Sequence, residues 1–311
     1  MIDVSPKPDS LRTATARAVL RGTPATLARL QARDLPKGDA LEVARAAAAL
    51  AVKQVPLLIP YCHPLRVDQV ETRYAFGPDT VTVDVTVRAV DRTGVEVEAM
   101  TGAALAALTL YDMLKMIDDT LALEGVRLLE KRGGKSDHAV AAEPPLTAAV
   151  VVVSDSVAAG AKADLSGARL AERLAAAFAV APLVVVPDEA AAIAAAVRRL
   201  ADQDGVDLVV TTGGTGLGPR DVTPEAMAGV LDREAPGVME AVRAHGQRRT
   251  PLAMLGRGRA GVRGRTLVVN LPGSRGAVDD ALAALLPGLP HACLMLRGEG
   301  HADDPRPARR G

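Results

Sequence analysis

The sequence predicts two domains of different fold class. The first is α+β and ferredoxin-like, an antiparallel sheet with helices on one face; the second is α/β, with a parallel sheet in three layers. A length of 311 residues allows two separate cores. Residues 80–88 alternate apolar and polar side chains, which is typical of a half-buried antiparallel strand. Beyond residue 147, short continuous apolar runs alternate with helical segments, which indicates a parallel sheet covered on both sides.

The first block of the chain extends to about Ser136. Thr23 and Pro24 supply a polar N-cap and a proline at the first helical position, so they predict a helix start. The remaining predicted elements are a strand at 12–20, an alanine-rich helix at 41–52, strands at 66–76 and 81–90, a helix at 96–117 and a strand at 126–131. Antiparallel strands with helices on one face make this block α+β.

A short segment rich in alanine and proline, 137–145, predicts a linker between the two blocks. We therefore expect domains at 1–138 and 147–300, joined by a linker at 139–146 and followed by a tail at 301–311. In the second block, strands are predicted at 148–153, 183–186, 208–212 and 266–270, and helices at 165–178 and 190–200.

Composition excludes several classes of protein. A net charge of +0 argues against non-specific nucleic-acid binding, which needs a basic surface. Cys62 and Cys293 form no C-x-x-C motif, so neither a disulfide framework nor a structural zinc site is expected. Residues 1–7 lack the apolar core of a signal peptide, and the apolar runs have strand length. We expect a cytoplasmic protein with no membrane partner.

Two groups of candidate functional residues stand out in the first block. Pro60 and Pro64 fix the backbone around His63, although a buried structural histidine would look the same. Asp112 and Lys115 have i, i+3 spacing and share one helix face, where a surface ion pair is the common alternative.

The acids and lysines around them also have ordinary alternatives. Glu96 and Glu98 open the long helix, where the macrodipole favours acids in any case. Lys37 and Lys135 lie in glycine-containing loops and could simply be solvated, but 133–136, Gly-Gly-Lys-Ser, could also surround a phosphate.

Taken together, six motifs in order make the first block resemble cyclic pyranopterin monophosphate synthase. They are Met1-Ile-Asp-Val-Ser, Lys37-Gly-Asp, Leu58-Ile-Pro-Tyr-Cys-His-Pro-Leu, Thr93-Gly-Val-Glu-Val-Glu-Ala-Met-Thr, Leu110-Tyr-Asp-Met-Leu-Lys and Gly133-Gly-Lys-Ser. The resemblance implies conversion of a cyclised dihydro-GTP intermediate to the pyranopterin with loss of pyrophosphate. It also implies a site near a subunit interface, usually within a hexamer. The implied catalytic residues are Lys37, Asp112, Lys115 and Lys135, and the implied substrate-binding residues are His63, Glu96 and Glu98.

In the second block, Thr211-Thr-Gly-Gly-Thr-Gly follows a predicted buried strand. Glycines let backbone N–H groups approach an anion closely, so this turn is a candidate phosphate cradle. A dinucleotide-binding domain is the competing interpretation. Its fingerprint, however, follows the first strand and opens a helix directly, whereas this turn follows the third strand.

Further polar residues come where other strands of the second block end, which is where open parallel sheets bind ligands. Ser154 and Asp155 follow the first strand, Asp188 the second, and the turn Pro272-Gly273-Ser274 a later one. Helix capping is the alternative for Asp188, and an ion pair with Arg220 is the alternative for Asp221. Two aspartates beside a phosphate cradle would instead suit Mg²⁺.

The second block resembles the molybdopterin-binding family, and most of all molybdopterin adenylyltransferase. The matching motifs are Val153-Ser-Asp-Ser, Asp164-Leu-Ser-Gly, Val186-Pro-Asp-Glu, Thr211-Thr-Gly-Gly-Thr-Gly, Arg220-Asp-Val-Thr-Pro-Glu, Pro236-Gly and Asn270-Leu-Pro-Gly-Ser. The resemblance implies transfer of AMP from ATP to molybdopterin in a trimer, with Asp188 and Asp221 as catalytic residues and Mg²⁺ ligands. The implied substrate-binding residues are Ser154, Asp155, Thr212, Gly213, Gly214, Thr215, Gly216, Pro272, Gly273 and Ser274.

The two resemblances together imply a bifunctional enzyme of molybdenum cofactor biosynthesis. We expect cyclised dihydro-GTP, molybdopterin and ATP as small-molecule partners, Mg²⁺ as the cofactor of the second domain, no organic cofactor, and a homo-hexamer or homotrimer. The alternative is a second domain that binds molybdopterin without catalysis, as a carrier or scaffold.

Overall fold

A computed structural model describes residues 1–134, 137 and 142–299. The chain divides into two compact units, Met1–Asp137 and His138–Gly311. Lys135, part of the expected linker and the expected tail at 301–311 lie outside the described residues.

The first unit is a four-stranded antiparallel sheet with helices packed on it. Its elements are β1 (Ser10–Arg21), α1 (Pro24–Gln31), α2 (Ala40–Leu58), β2 (Val67–Phe76), β3 (Thr80–Asp91), α3 (Glu96–Leu114) and β4 (Ala122–Arg132). The strand order is β2-β3-β1-β4, and each neighbouring pair is antiparallel. The predicted ferredoxin-like α+β class is confirmed.

The alternating pattern places every second side chain of the two central strands, β1 and β3, in the core. Ala14 pairs with Val87 and Leu20 with Val81 across β1 and β3, and all four side chains are buried. Small residues let the helices approach closely. A Cβ atom on Gly102 of α3 would lie 2.8 Å from Val52 of α2, so the helix layer leaves no space for a larger side chain there.

Some element ends differ from the prediction. Helix α2 runs through the predicted end at 52 and past Pro56 to Leu58, because Val52 and Val55 are both buried against the unit. Helix α3 ends at Leu114, with Lys115 as its C-cap. Strand β4 begins four residues early because Ala122 pairs with Arg21 of β1.

The second unit is a seven-stranded sheet between two layers of helices. Its elements are β5 (Thr147–Val153), α4 (Asp155–Ala158), α5 (Ser166–Leu174), β6 (Ala179–Val180), β7 (Val184–Val186), α6 (Ala190–Arg198), β8 (Leu208–Thr212), α7 (Thr223–Ala228), β9 (Arg233–Glu234), α8 (Pro236–Gln247), β10 (Ala260–Arg263), β11 (Thr266–Leu271), α9 (Arg275–Leu285) and α10 (Leu289–Arg297). Along β5, Val150 and Val152 belong to one core and Val151 and Val153 to the other. This confirms the predicted three-layer α/β class.

The sheet is mixed rather than wholly parallel. The order is β6-β5-β8-β11-β10-β9, with β7 also paired to β5. The pairs among β5, β6, β7, β8 and β11 are parallel, whereas β10 is antiparallel to both β11 and β9. Only Gly264 and Arg265 separate β10 from β11, and Gly264 has a φ of +55°, so a two-residue hairpin forces the antiparallel pairing.

One described helix, α3, is long and apolar enough to cross a membrane by length and composition alone. Half of its most apolar stretch is buried inside the unit. The core helix of a globular domain passes the same test, so the finding is weak evidence for a membrane span.

Candidate functional sites

The parallel strands of the second unit bring four connecting segments to one edge of the sheet. Ser154 follows β5, Pro187 follows β7, Gly213 follows β8 and Pro272 follows β11. These strands are parallel and hydrogen-bonded in one sheet, so their carboxyl ends meet, as open α/β sheets require for a ligand crevice.

The glycine turn after β8 has a backbone that only glycine tolerates. Gly213 and Gly214 have φ values of +107° and +61°, and a Cβ atom on Gly213 would collide with the carbonyl oxygen of Val153. Thr223 holds the turn from behind, donating its hydroxyl to Gly213 O (3.0 Å) and its backbone N–H to Gly214 O (3.0 Å). The turn is therefore rigid and lies close to the end of β5.

The turn at 272–274 packs directly on the glycine turn. Thr212 donates its hydroxyl to Pro272 O at 2.8 Å, and a Cβ on Gly273 would lie 3.2 Å from the Cα of Gly213. Ser274 caps α9 by accepting the backbone N–H of Ala277 at 3.4 Å. The two turns form one continuous backbone surface at the edge of the sheet.

Two aspartates from neighbouring strand ends hold each other in place. The backbone N–H of Asp155 donates to Asp188 Oδ2, and that of Asp188 donates to Asp155 Oδ1, both at 2.9 Å. Arg220 adds an ion pair to Asp155 Oδ2 at 2.6 Å. The N–H of Asp188, followed by Arg220, lowers the pKa of Asp155. Asp188 Oδ1 lies 3.2 Å from the position a Cβ on Gly214 would take, so this carboxylate borders the glycine turn.

Asp188 does not cap a helix and Asp221 does not pair with Arg220, which were the alternatives for these two acids. Glu189, not Asp188, is the N-cap of α6. Arg220 pairs with Asp155 rather than with Asp221. Asp221 instead accepts the backbone N–H of Gly218 at 2.7 Å and lies beside Gly216 and Gly218, in the loop that follows β8.

The carboxylates at this edge fit Mg²⁺ only if phosphate oxygens and water complete the coordination shell. Among the described residues, no group of three or more His, Cys, Asp or Glu is placed to hold a metal ion. Protein-bound Mg²⁺ commonly takes one or two carboxylates and completes its shell with phosphate oxygens and water. The carboxylate of Asp188 beside the glycine turn is compatible with such a shell.

In the first unit, Lys37, Asp112 and Lys115 form one cluster at the C-terminal end of α3. Asp112 receives Lys115 Nζ at 2.8 Å on Oδ1 and Lys37 Nζ at 3.2 Å on Oδ2. Lys37 also donates to the main-chain oxygen of Asp112 at 2.8 Å. Lys115, followed by Lys37, lowers the pKa of Asp112. Both lysines reach one carboxylate, so the cluster carries a net positive charge suited to phosphates.

Cys62, His63 and Glu98 form a second cluster at the N-terminal end of α3. The thiol of Cys62 donates to Glu98 Oε1 at 3.4 Å. His63 Nε2 lies 2.9 Å from the carbonyl oxygen of Ile2; because a carbonyl only accepts, this nitrogen carries the proton. Glu96 lies on the same end of α3 and pairs with Lys131 Nζ of β4 at 3.3 Å.

A single chain does not bring these two clusters together. Glu98 and Asp112 belong to the same straight helix, so at 1.5 Å per residue their backbones are about 20 Å apart. Lys135, the remaining predicted site residue, lies outside the described residues.

Three residues with clear structural roles at these sites were not predicted. Lys131 pairs with Glu96, and Arg257 binds Gly216 O (2.7 Å) and Asp221 O (2.6 Å) in the glycine loop. The third, Asp118, is buried just beyond α3 and accepts the N–H groups of Thr23 (2.8 Å) and Thr120 (2.9 Å). The contacts of these three residues either join elements distant in the chain or lie outside the recognised motifs. No local sequence pattern therefore identified the residues.

Comparison with known proteins gives two consecutive family matches. The MoaC family matches residues 1–134, and a family described as "Probable molybdopterin binding domain" matches residues 149–291. The chain is 44% identical over 303 residues to the molybdenum cofactor biosynthesis bifunctional protein of Chlorobaculum tepidum, covering 97% of this chain and 96% of that one.

Single-domain relatives match each half. A cyclic pyranopterin monophosphate synthase of a Roseiflexus species is 49% identical over 138 residues, which is 44% of this chain and 87% of that one. The crystal structure of the molybdopterin biosynthesis enzyme MoaB from Thermus thermophilus is 47% identical and covers 49% of this chain and 97% of that one, with a TM-score of 0.47.

Proposed function

Because this chain belongs to the family of bifunctional molybdenum cofactor biosynthesis proteins, with a cyclic pyranopterin monophosphate synthase domain followed by a MogA/MoaB-like domain, we propose that it catalyses two separate reactions. The first domain converts a cyclised dihydro-GTP intermediate to cyclic pyranopterin monophosphate and releases pyrophosphate. The second domain binds molybdopterin and transfers AMP to it from ATP.

The cluster of Lys37, Asp112 and Lys115 supports the first reaction. Two ammonium groups within 3.2 Å of one carboxylate offer both phosphate binding and a proton relay. The carboxylate of Asp112 is a proton acceptor, and it lies between two proton donors, Lys37 and Lys115. This arrangement suits proton transfer during the ring rearrangement.

The separation of the two clusters supports a site shared between subunits. His63, Glu96 and Glu98 lie at the opposite end of α3 from the lysine cluster, too far for one small substrate to reach both. A second copy of the chain, with its α3 reversed beside the first, would unite them. We therefore propose a homo-oligomer, a hexamer or a trimer, as the active form.

One observation carries the second reaction: Asp188 is fixed against the glycine turn by the backbone N–H of Asp155. In the proposed step a phosphate oxygen of molybdopterin forms a bond to the α-phosphorus of ATP, and the bond from that phosphorus to the pyrophosphate oxygen breaks. The glycine turn supplies backbone N–H groups for the transferred phosphate, and the turn at 272–274 offers a neighbouring backbone surface for the pterin.

Asp188 and Asp221 are the residues that would hold Mg²⁺. The ion would supply positive charge between these carboxylates and the phosphates of ATP. Without a cation, carboxylates at a phosphate cradle repel the nucleotide. Asp221 is held in its orientation by Gly218 N–H, and Arg257 anchors the loop that carries it.

Pyrophosphate release that depends on molybdopterin tests the second activity. The full-length protein is incubated with ATP, Mg²⁺ and molybdopterin, and pyrophosphate and adenylylated molybdopterin are measured together. We expect equal amounts of both products, and none when molybdopterin is omitted. Binding of molybdopterin with no ATP consumption would instead support a carrier or scaffold.

A further inference from the structure

Glu98 is buried in the first unit with an incomplete set of hydrogen-bond partners. Only 2% of the residue is exposed, and Oε2 has no hydrogen-bond partner among the residues that the structure describes. Its other oxygen, Oε1, accepts from the thiol of Cys62 at 3.4 Å. An ionised carboxylate removed from water requires strong donors or a cation, and the thiol of Cys62 is a weak donor.

The groups around Glu98 also disfavour a negative charge there. Burial raises the pKa of Glu98, and Glu96 on the same helix and Asp91 at the end of β3 raise it further, against the lowering effect of hydrogen bonds that include the one from Cys62. The nearby cation Lys131 is engaged by Glu96 at 3.3 Å.

The thiol that faces Glu98 keeps its own proton. Burial is the main cause that raises the pKa of the Cys62 thiol above its ordinary value. At neutral pH the S–H group therefore remains a donor, and Glu98 Oε1 remains its acceptor. Cys62 is the immediate neighbour of His63, and its backbone N–H donates to Ile59 O at 3.0 Å, which closes residues 59–62 into a turn directly before His63.

We propose that Glu98 works as a neutral carboxylic acid and is a positioning residue: its Oε1 holds Cys62 and thereby orients the imidazole of His63. Carboxylic acids kept neutral by an apolar surrounding are known at active sites, where they serve as hydrogen-bonding groups. The proposal deepens the first proposed reaction and rests on it.

Substitutions that separate shape from charge test this role in the full-length protein. Glu98→Gln keeps the shape, the neutrality and an acceptor oxygen, so we expect kcat/KM for pyranopterin formation to fall less than it does in Glu98→Ala. Glu98→Ala removes the acceptor, and we expect a loss of about tenfold or more. The matched control is Glu96→Gln, two residues away, which breaks the ion pair with Lys131 and should not be tolerated in the same way.

The pH dependence of pyranopterin formation distinguishes this role from a purely structural one, which would leave the profile unchanged. Because its folded pKa is raised, Glu98 ionises as the pH rises through that value, so the unmodified protein should lose activity on the alkaline side. The Glu98→Gln variant should lack this loss. In the infrared spectrum of the unmodified protein at neutral pH, we also expect the carbonyl band of a protonated carboxylic acid.

Three outcomes would overturn the proposal. They are a Glu98→Gln variant as inactive as Glu98→Ala with unchanged melting temperature, a fully active Glu98→Ala variant, and an infrared spectrum without the acid band. If Glu98→Gln does not fold, the infrared measurement decides. Failure of the unmodified protein to form pyranopterin at all would instead contradict the proposed first reaction, so the two failures are distinguishable.

Discussion

Asp155 and Asp188 exchange hydrogen bonds across two neighbouring strand ends, each donating its backbone N–H to the carboxylate of the other at 2.9 Å. The exchange fixes both side chains beside the glycine turn without using any residue of that turn. Arg220 balances one of the two negative charges through Asp155. The pair therefore holds the Asp188 carboxylate rigidly in place, with part of the negative charge neutralised, beside the proposed phosphate site.

Asp155 variants should separate the hydrogen bond from the charge. Asp155→Ala removes the acceptor for Asp188 N–H and should lower AMP transfer about tenfold, since such a bond is worth roughly 1 to 1.5 kcal/mol. Asp155→Asn keeps an acceptor oxygen and should lose less. Rates of adenylylation for the two variants are compared, and equal rates would contradict the positioning role.

Asp112 should be required in its charged form for pyranopterin synthesis. Asp112→Asn leaves Lys37 and Lys115 without their carboxylate, so we expect kcat to fall by a factor on the order of 10² or more. The control is Asp119→Asn, which changes an exposed aspartate a few residues beyond α3. Near-normal turnover by Asp112→Asn would rule out the proton-relay role.

Mixing two inactive variants should restore pyranopterin synthesis if subunits share the site. Lys115→Ala damages one end of α3, and Glu96→Gln damages the other. In mixed oligomers some sites combine an intact lysine cluster from one chain with an intact acid cluster from its neighbour. Activity is measured after unfolding and refolding the two variants together. Inactivity of a properly assembled mixture would show that each chain holds a complete site.

The buried pair of Asp207 and Arg297 should stabilise the second unit in a pH-dependent way. The Asp207 Oδ1 to Arg297 Nε distance is 2.7 Å, and both side chains are about 10% exposed (10% and 11%). Arg297 also binds the carbonyl oxygen of Pro144 at 2.7 Å. Asp207→Asn leaves a buried cation without its partner, so it should lower the free energy of unfolding by about 3 kcal/mol.

The pH dependence follows from the lowered pKa of Asp207, where burial acts to raise it but Arg297 and Thr147 lower it by more. A depressed folded pKa gives stability that is present above the unfolded value, near pH 4, and is lost as the pH falls through the folded value. The difference in the free energy of unfolding between the unmodified protein and Asp207→Asn, measured with urea, should thus shrink in acid. The exposed pair of Asp204 and Arg199 is the control, and Asp204→Asn should cost less than about 1 kcal/mol.

Local patterns predicted most of the fold. The alternation at 80–88 identified β3, and Thr23 does cap α1 by accepting the N–H of Thr26 at 3.2 Å. The antiparallel strands β9 and β10 were missed because they are short, at two and four residues, and their direction depends on the hairpin at Gly264. Helix α3 was predicted too long because nothing in the sequence marks Lys115 as its C-cap.

The candidate site was less accessible from the sequence, for a physical reason. Motifs indicate which residues are chemically capable, and they placed Asp112 and Lys115 on one helix face as the structure does. They do not indicate long-range partners, so the contacts of Glu96 with Lys131 and of Cys62 with Glu98 could not be foreseen. The separation of the two clusters by the length of α3 likewise emerges only once the helix is seen whole.

The most direct test of the second activity measures AMP transfer and molybdopterin binding in parallel for the full-length protein and for Asp188→Ala. We predict that the unmodified protein forms adenylylated molybdopterin only when Mg²⁺ is present. The variant should bind molybdopterin with similar affinity but lose AMP transfer, because Asp188 borders the glycine turn, whereas we propose that the pterin binds at the neighbouring turn at 272–274. An unmodified protein that binds molybdopterin and never adenylylates it, with or without Mg²⁺, would contradict the account.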